Sequence, residues 1–349
     1  MAGLMLYLTK SFSQVQCLPM GPTKRKVQNE STKGDPIITE LPAACADERL
    51  AVEFMEKQRW GDHPACPHCG SENVYQMMDS KDPAKRQANF RWRCREKECH
   101  QQFTVRIGTV FEDSRAELRH WCFAFWRAAT SKKGVSALEV HRQTGLAYKT
   151  CLFMLHRVRC AMDEQDIEPL NGTVEVDEAF IGGKPRRIHG TRHTIKREKA
   201  VVVGLKERGG RVRPKVIADV TGATLRAVIS ENVDKRARIM TDEWSGYRGL
   251  RNAGWNHERV NHGLYEYARG DVTTNSIEGF FGMLKRGLNG IYHSVSRKHL
   301  HRYLSEFEFR HNLSELTDGE RTVAAIKQAQ GKRLTYSEQI GKYAGEERW

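Results

Sequence analysis

Four cysteines constrain the fold of this chain more than any other feature of its sequence. They form two pairs, one with two intervening residues and one with four, separated by 24 residues: Cys66, Cys69, Cys94 and Cys99. Tetrahedral Zn²⁺ needs four soft or imidazole donors, and two such pairs on facing hairpins supply them. His68 and His100 are alternative ligands, but the cysteine pairs are the simpler set. We therefore predict one structural Zn²⁺ without a catalytic role, because four thiolates leave no open position on the metal.

The remaining five of the nine cysteines are scattered along the chain. In a reducing compartment such residues are buried free thiols rather than disulfides. No apolar run reaches the roughly 18 residues that a membrane span needs. The apolar run 4–8 is too short for the core of a signal peptide. We therefore expect a cytoplasmic protein with no membrane partner.

The charge of the chain indicates a polyanionic partner. Its 349 residues include 57 Lys and Arg against 43 Asp and Glu, a formal net charge of +14. A solvated basic surface is the simple explanation, but a surplus this large is typical of proteins that bind nucleic acid. DNA or RNA is therefore the expected partner.

Residues 113–162 have a helical pattern with a turn at Gly145. A helix, a three-residue turn containing glycine and a second helix are typical of the helix-turn-helix motif. The second helix would place Lys149 and Arg157 on the DNA side, facing the major groove. An ordinary pair of packed helices is the alternative, and the charge and the neighbouring zinc module favour DNA binding.

Acidic side chains recur at the ends of predicted elements in the second half of the chain. One predicted strand ends at Asp177, another ends at Asp242, and a helix opens with residues 275–278. An acid at a strand end is held on rigid backbone, and carboxylate oxygens are the usual ligands of Mg²⁺ and Mn²⁺. Each acid alone could be a solvated strand end or a helix cap. Three acids in matching settings on a basic chain instead predict a two-metal site that acts on phosphodiesters.

The order of elements predicts an α/β domain. Three strands are followed by helix, strand, helix, strand and helix, which suggests a mixed sheet with helices on both faces. The predicted division of the chain is a disordered leader, a helix with a zinc ribbon, a helix-turn-helix module, the mixed-sheet domain and a charged tail: 1–41, 42–112, 113–165, 170–313 and 314–349.

These features together resemble a known family. Strand order, acids and charge look like the ribonuclease H-like fold of DDE transposases and retroviral integrases. More closely, residues 42–313 resemble a group of bacterial insertion-sequence transposases related to Merlin elements. Five stretches carry the resemblance: the four cysteines, Val176-Asp177-Glu178-Ala179-Phe180-Ile181-Gly182-Gly183, Thr241-Asp242-x-x-Ser245-Gly246-Tyr247, Asn275-Ser276-Ile277-Glu278-Gly279-Phe280-Phe281 and Tyr292-His293-Ser294-Val295-Ser296.

The resemblance implies a ribonuclease H-like DDE catalytic domain with two Mg²⁺ (or Mn²⁺) ions. It implies an enzyme that binds terminal inverted repeats, cleaves the element ends and joins their 3′-hydroxyls to target DNA. It also implies a homo-oligomer on DNA.

The third acidic ligand remains open between two residues. Glu278 lies 36 residues after Asp242, the kind of spacing seen in DDE enzymes, whereas some family members use Asn at the place of Asn275. Charge favours Glu278, and Asn275 is expected to cap the helix. Lys285, two turns further on, would contact the terminal phosphates. Glu178 is expected on the opposite strand face, with a structural role.

Two other functions share these features. A metal-dependent nuclease on the same fold, such as a ribonuclease H or a resolvase, would have the same acids. A DNA-binding regulator with a dead catalytic domain would keep the basic modules. The zinc ribbon favours an enzyme that recognises specific DNA ends over a nuclease, and the intact pair of Asp177 and Asp242 argues against a dead domain.

Overall fold

The computed structural model describes most of the chain: residues 35–164, 168–182, 199–261 and 269–340, and the backbone of 186–187 and 194–195. The predicted leader lies almost entirely outside these residues. Within them, no helix is long and apolar enough to cross a membrane.

The first half of the chain is mostly helical. Helices α1 and α2 precede a small three-stranded antiparallel sheet of β1, β2 and β3, and helices α3, α4 and α5 follow it. Aspartates at 35 and 47 accept backbone N–H groups at the starts of α1 and α2, as helix N-caps do. The elements are α1 Pro36–Ala46, α2 Glu48–Trp60, β1 Val74–Gln76, β2 Trp92–Cys94, β3 Gln102–Phe103, α3 Leu118–Thr130, α4 Ala137–Thr144 and α5 Tyr148–Ala161.

A five-stranded mixed sheet forms the second half, as the sequence predicted. Its strand order is β10-β9-β4-β7-β8, in which β7 pairs antiparallel with both β4 and β8. Strands β9 and β10 are added parallel to β4 on its other side. The strands are β4 Thr173–Ile181, β7 Ala200–Glu207, β8 Val212–Ile217, β9 Arg238–Thr241 and β10 Asn256–Arg259, with β5 Arg186–Arg187 and β6 Thr194–Ile195 in a separate hairpin.

Helices cover both faces of the sheet. Helix α6, Gly222–Asn232, packs on one face, where its Leu225 and Ile229 share an apolar core with β4, β7 and β9. Helices α7, Asn275–Gly287, and α8, Leu300–Asn312, contribute to the core on the other face. A five-residue π-helical turn at Leu288–Tyr292 continues α7 directly.

Two predicted local features are wrong. Strand β4 does not end at Asp177 but continues to Ile181, because its pairing with β7 extends that far. The second helix of the predicted order, which was expected to begin at Ser245 after the strand that ends at Asp242, is a single 3₁₀ turn, Ser245–Tyr247. Asp177 is therefore held in mid-strand, with paired backbone on the β7 side.

The stretch predicted as a charged tail, 314–349, contains helices in its described part. Residues 314–340 contain helices α9, Asp318–Lys327, and α10, Tyr336–Ile340. Val323 and Ile326 of α9 are buried in the same apolar core as α1, α2, α3 and α5. The last part of the chain thus packs against the N-terminal helices. This core contains residues from both sides of the predicted domain boundaries at 112/113 and 313/314.

A buried acid on α8 makes stability depend on pH. Burial raises the pKa of Glu308 to about 8, despite the nearby Lys215 and Arg213. Between pH 4.5 and 8 the folded protein then holds a proton at Glu308 that the unfolded chain has lost. A group whose folded pKa is raised contributes stability at low pH, and that contribution decreases as pH rises through this window.

Glu308→Gln removes this titration. We expect the difference in unfolding free energy, variant minus wild type, to increase from pH 5 to pH 8 by up to roughly 4 kcal/mol. Urea denaturation at both pH values measures it. Glu315→Gln, at an exposed position just beyond α8, is the matched control. A pH-independent difference for Glu308→Gln would contradict the assigned titration.

Candidate active site and zinc ribbon

Strands β4 and β9 place two acids side by side. Their parallel pairing joins Thr173 to Arg238 and Glu175 to Met240, an offset of 65 residues. The same offset places Asp242, the first residue after β9, at the level of Asp177. The chain turns at Asp242, whose carboxylate accepts the backbone N–H of Trp244 at 2.9 Å.

The environment of Asp177 shows which groups gather around it. Burial, together with the negative charges of Asp242 and Glu278, raises the pKa of Asp177 to about 6. The N–H of Glu178 and the positive charge of Lys285 act in the opposite sense. One acid at a strand end, one acid on a helix and one lysine therefore act electrostatically on this carboxylate. Excess negative charge in a half-buried site is what a divalent cation relieves.

Helix α7 carries Glu278 and Lys285, which are seven residues apart and so lie on one face. The helix lies close to the sheet because β7 has glycine opposite Asp177. A Cβ atom added at Gly204 would lie 2.6 Å from the Ile277 side chain and 2.7 Å from the Phe281 ring. A larger residue at this position would force the Ile277 and Phe281 side chains to move, so Gly204 permits the close approach of α7 to the sheet.

The N-terminus of α7 is fixed by a fully buried acid on β4. One carboxylate oxygen of Glu175 accepts the backbone N–H groups of Ser276 at 2.8 Å and Ile277 at 3.1 Å. Its other oxygen accepts the guanidinium of Arg208 at 3.0 Å. A carboxylate at a helix N-terminus satisfies free N–H groups and interacts favourably with the helix dipole. No role for Glu175 was predicted from the sequence.

Asn275 was expected to cap α7, but the structure shows that it does not. The cap residue is Thr274, and Asn275 is already the first helical residue, with its backbone N–H donated to the Thr273 hydroxyl. The Thr274 hydroxyl donates to the Glu278 carboxylate at 2.8 Å. Asn275 and Glu278 are both exposed and lie one turn apart on α7.

Glu178 faces away from Asp177, as the alternation of a strand requires. It lies near the fully buried Tyr247, and burial raises its pKa to about 7. Asp242 lies close enough to both acids to raise the pKa of each.

The four predicted zinc ligands converge in the ribbon. Among the described residues, their sulfur atoms are the one set of three or more metal-binding groups all within 4.8 Å of one another. Sγ of Cys66 lies 3.7 Å from Sγ of Cys99, and Sγ of Cys69 lies 3.6 Å from Sγ of Cys94. Zn–S bonds of about 2.3 Å in a tetrahedron give S–S distances of about 3.8 Å, so the four thiols fit Zn²⁺. Asp177, Asp242 and Glu278 do not form such a set among the described residues.

Two family models match these same regions. An ISXO2-like transposase domain matches residues 169–312, which include the mixed sheet, Asp177, Asp242 and α7. A transposase zinc-ribbon domain matches residues 46–102, which include all four cysteines. The chain belongs to this family of insertion-sequence transposases.

Two curated relatives agree with this assignment. An uncharacterised protein in transposable element ISH50 of Halobacterium salinarum is 27% identical over 277 residues, covering 75% of this chain and 90% of that protein. An uncharacterised transposase-like protein of Haemophilus influenzae is 32% identical over 101 residues, covering 29% of this chain and 80% of that protein.

In this transposase, the ribbon supplies a direct test of zinc binding. Cys94→Ser is expected to lose the metal and unfold the ribbon, because metal binding supplies much of the folding energy of such a module. Metal analysis of the purified full chain and limited proteolysis between residues 62 and 104 measure both effects. Cys160→Ser, on α5, should retain one zinc ion per chain. A Cys94→Ser protein with a full equivalent of zinc would disprove the ligand set.

The two residues expected to face DNA have different surroundings in the transposase. Lys149 is exposed in the first turn of α5. Arg157 is half-buried, and its guanidinium donates to the backbone carbonyls of Leu334 and Glu112, both at 3.1 Å. The expectation that Arg157 lies on the DNA side is therefore not supported, since its donors hold two segments of the protein together.

Proposed function

We propose that this transposase binds the terminal inverted repeats of an insertion sequence, cleaves the element ends and joins their 3′-hydroxyls to target DNA. One observation carries the proposal. Asp177 and Asp242 share a register on neighbouring strands, and Glu278 and Lys285 of α7 act on the same carboxylate. That set of groups suits transfer of a phosphodiester between oxygen nucleophiles.

The sheet topology supports a ribonuclease H-like catalytic domain. Three antiparallel strands followed by two parallel strands, in the order β10-β9-β4-β7-β8, agree with the resemblance stated from the sequence. In this arrangement β4 and β9, the first and fourth strands of the sheet along the chain, are neighbours. These are the strands that bring Asp177 and Asp242 together.

Asp177, Asp242 and Glu278 form an all-carboxylate donor set, which is the set that Mg²⁺ and Mn²⁺ prefer. Two such ions, when bound, activate the attacking oxygen and neutralise charge on the phosphodiester. Asp177 is held on paired backbone, whereas Glu278 is oriented by the Thr274 hydroxyl. Glu278 is the third ligand in this proposal, and Asn275 lies beside it as a polar contact to DNA.

Lys285 is proposed to bind the phosphates next to the scissile bond. It is exposed, lies two turns beyond Glu278 on the same face of α7, and acts electrostatically on Asp177. A lysine in this position holds a phosphodiester near the acids and offsets their charge.

Helices α4 and α5 are proposed to be the helix-turn-helix that reads the repeats. Gly145 ends α4 in the left-handed conformation, at φ 74°, and α5 begins three residues later. The exposed start of α5 presents Tyr148 and Lys149. Recognition helices contact base edges with such N-terminal residues. The transposase would act in the cytoplasm, on the nucleoid, as a homo-oligomer joining two element ends.

Measuring DNA affinity at a series of salt concentrations distinguishes the role of Lys149 from that of Arg157. Lys149→Ala is expected to weaken binding to repeat DNA and to reduce the slope of log affinity against log salt by about 1, because one phosphate contact is lost. Arg157→Ala should leave that slope unchanged, since its donors are bonded within the protein. Fluorescence anisotropy with the full chain measures both. Equal slopes for Lys149→Ala and wild type would remove Lys149 from the DNA interface.

The proposed function is tested by incubating the full chain and Mg²⁺ with the inverted repeats that flank its own gene, together with a target plasmid. Joined products between repeat and plasmid are the expected result. Cleavage without joining would favour the nuclease alternative. Binding without cleavage would favour the inactive regulator.

A further inference from the structure

A cavity of about 650 Å³ lies between the α4–α5 pair and the segment that follows α7. One wall is formed by the starts of α4 and α5, with Leu138 and Tyr148 at 53% and 47% exposure. The opposite wall is residues 291–296, and α8 completes it with Tyr303. Its volume is in the range of small-molecule sites, and none of the roles above uses it.

The cavity wall contains buried polar groups with unused hydrogen-bonding capacity. Arg159 is 2% exposed and His156 is 4% exposed. Nε of Arg159 donates to the Glu306 carboxylate at 2.6 Å, but its Nη1 has no partner among the described residues, and neither has Nδ1 of His156. Buried polar groups in folded proteins are generally hydrogen-bonded. Unpaired groups such as these mark places where a ligand supplies the missing hydrogen bonds.

Aromatic rings surround these groups. The Arg159 guanidinium lies 4.0 Å from the centroid of the Tyr303 ring, and the Tyr292 and Tyr303 rings meet edge to face at 4.8 Å. Burial, followed by the charge of Arg159, lowers the pKa of His156 to about 2, so its imidazole is neutral. Arg159 is the one lysine or arginine among the described lining residues, and it shares the Glu306 carboxylate with Arg310. With two tyrosine rings and a neutral imidazole beside this arginine, the wall suits a flat, hydrogen-bonding ring better than a phosphate.

The backbone along this wall is irregular. Residues 288–292 form a π-helical turn, and His293 has φ 58° and ψ −45° without being glycine. π-Helical turns and strained residues are concentrated at functional sites, where the surrounding structure maintains them. The strain lies in the Tyr292-to-Ser296 stretch, which the sequence singled out and which the proposed catalytic site does not use.

The position of the cavity relates it to DNA. One edge is Tyr148, beside Lys149 at the exposed start of α5. The other wall directly continues α7, and at 1.5 Å per residue its start at Ile291 lies within roughly 20 Å of Glu278. The cavity therefore lies between the proposed DNA-contacting start of α5 and the helix that carries Glu278.

We infer that this cavity binds one nucleobase turned out of the DNA helix at the element end. This inference rests on the proposed function. Tyr148 would stack on the base at the mouth, and Arg159 and His156 would hydrogen-bond its edge. An acceptor-rich edge suits Arg159, as O6 and N7 of guanine suit arginine elsewhere.

The test uses the full chain without divalent metal, so that no DNA is cut. Repeat duplexes carry 2-aminopurine at one position at a time, since its fluorescence rises when it leaves the base stack. We expect a several-fold rise at one position on binding. Ser294→Trp, at an exposed position on the cavity wall, should abolish that rise by filling the cavity. Tyr336→Ala, which changes an exposed tyrosine outside the cavity, should retain it.

Thermal unfolding of each variant shows that it is folded, and anisotropy on the same duplexes gives the protein concentration at which the DNA is saturated, so that fluorescence is compared at full binding. Tyr148→Ala gives a second variant, with a smaller rise expected from the lost stacking. Binding without a fluorescence rise at any position would overturn the base site alone. A rise that persists in both Ser294→Trp and Tyr148→Ala would place the extruded base elsewhere and overturn it too. Failure of the wild-type chain to bind the repeats would overturn the proposed function together with the base site.

Discussion

Asp177→Asn and Asp242→Asn are each expected to reduce Mg²⁺-dependent strand transfer by at least roughly a hundredfold while binding of repeat DNA persists. Metal ions stabilise transition-state charge by several kcal/mol, and each 1.36 kcal/mol corresponds to tenfold in rate. The two acids share a register on β4 and β9, so removing either charge disrupts the same site. Joined products are measured on gels, with anisotropy as the binding control. Full activity in Asp177→Asn would disprove the site.

The same assay identifies the third ligand. Glu278→Gln is expected to lose activity comparably, whereas Asn275→Ala should lose less. A carboxylate compensates the charge of two ions better than an amide does. Both side chains are exposed on one turn of α7, so neither substitution disturbs the core. Full activity in Glu278→Gln combined with loss in Asn275→Ala would show that Asn275 is the ligand.

Glu175→Gln is expected to lower the free energy of unfolding by roughly 3–5 kcal/mol, the usual cost of breaking a buried ion pair. The carboxylate of Glu175 is fully buried and accepts two N–H groups of α7 as well as Arg208. A glutamine amide cannot accept from all of these groups, and its NH₂ group faces another donor. Urea denaturation at neutral pH measures the effect.

Glu231→Gln, at an exposed position on α6, is the matched control and should change stability by less than about 0.5 kcal/mol. Because Glu175 fixes the end of α7 that carries Glu278, its loss should also weaken Mn²⁺ binding measured by calorimetry. A Glu175→Gln protein as stable as the Glu231→Gln protein would show that α7 is positioned by other contacts.

Features encoded in short stretches were predictable from the sequence. The spacing of the four cysteines predicted a ribbon in which their sulfur atoms now meet. The alternation of strands and helices predicted a mixed sheet, and it was found. Asp177 and Asp242 were recognised because each follows an apolar run, although β4 continues beyond Asp177.

Features that depend on distant parts of the chain were not predictable. From the sequence alone, Glu175 has the features of a solvated strand residue. Its role in fixing the N-terminus of α7 depends on contacts with residues about 100 positions later. Gly204 looks like an interruption of a valine-rich strand until the side chains of α7 are packed above it. Arg157 has the spacing of a DNA contact, but carbonyls of Leu334 and Glu112 bind its guanidinium. Periodicity identifies a buried face, but it does not identify which element covers it.

The return of α9 to the N-terminal helices has a consequence for how the protein is made. Val323 and Ile326 complete the core around α3, yet they leave the ribosome about 160 residues after α5. At about 5–20 residues per second, this delay is roughly 10–30 s. During that time the face of α3 that α9 covers stays open. In a chain terminated before Val323, this face of α3 stays exposed permanently, and the chain becomes a target for proteolysis. Premature stop codons in this gene should therefore yield short-lived fragments rather than stable inhibitors of transposition.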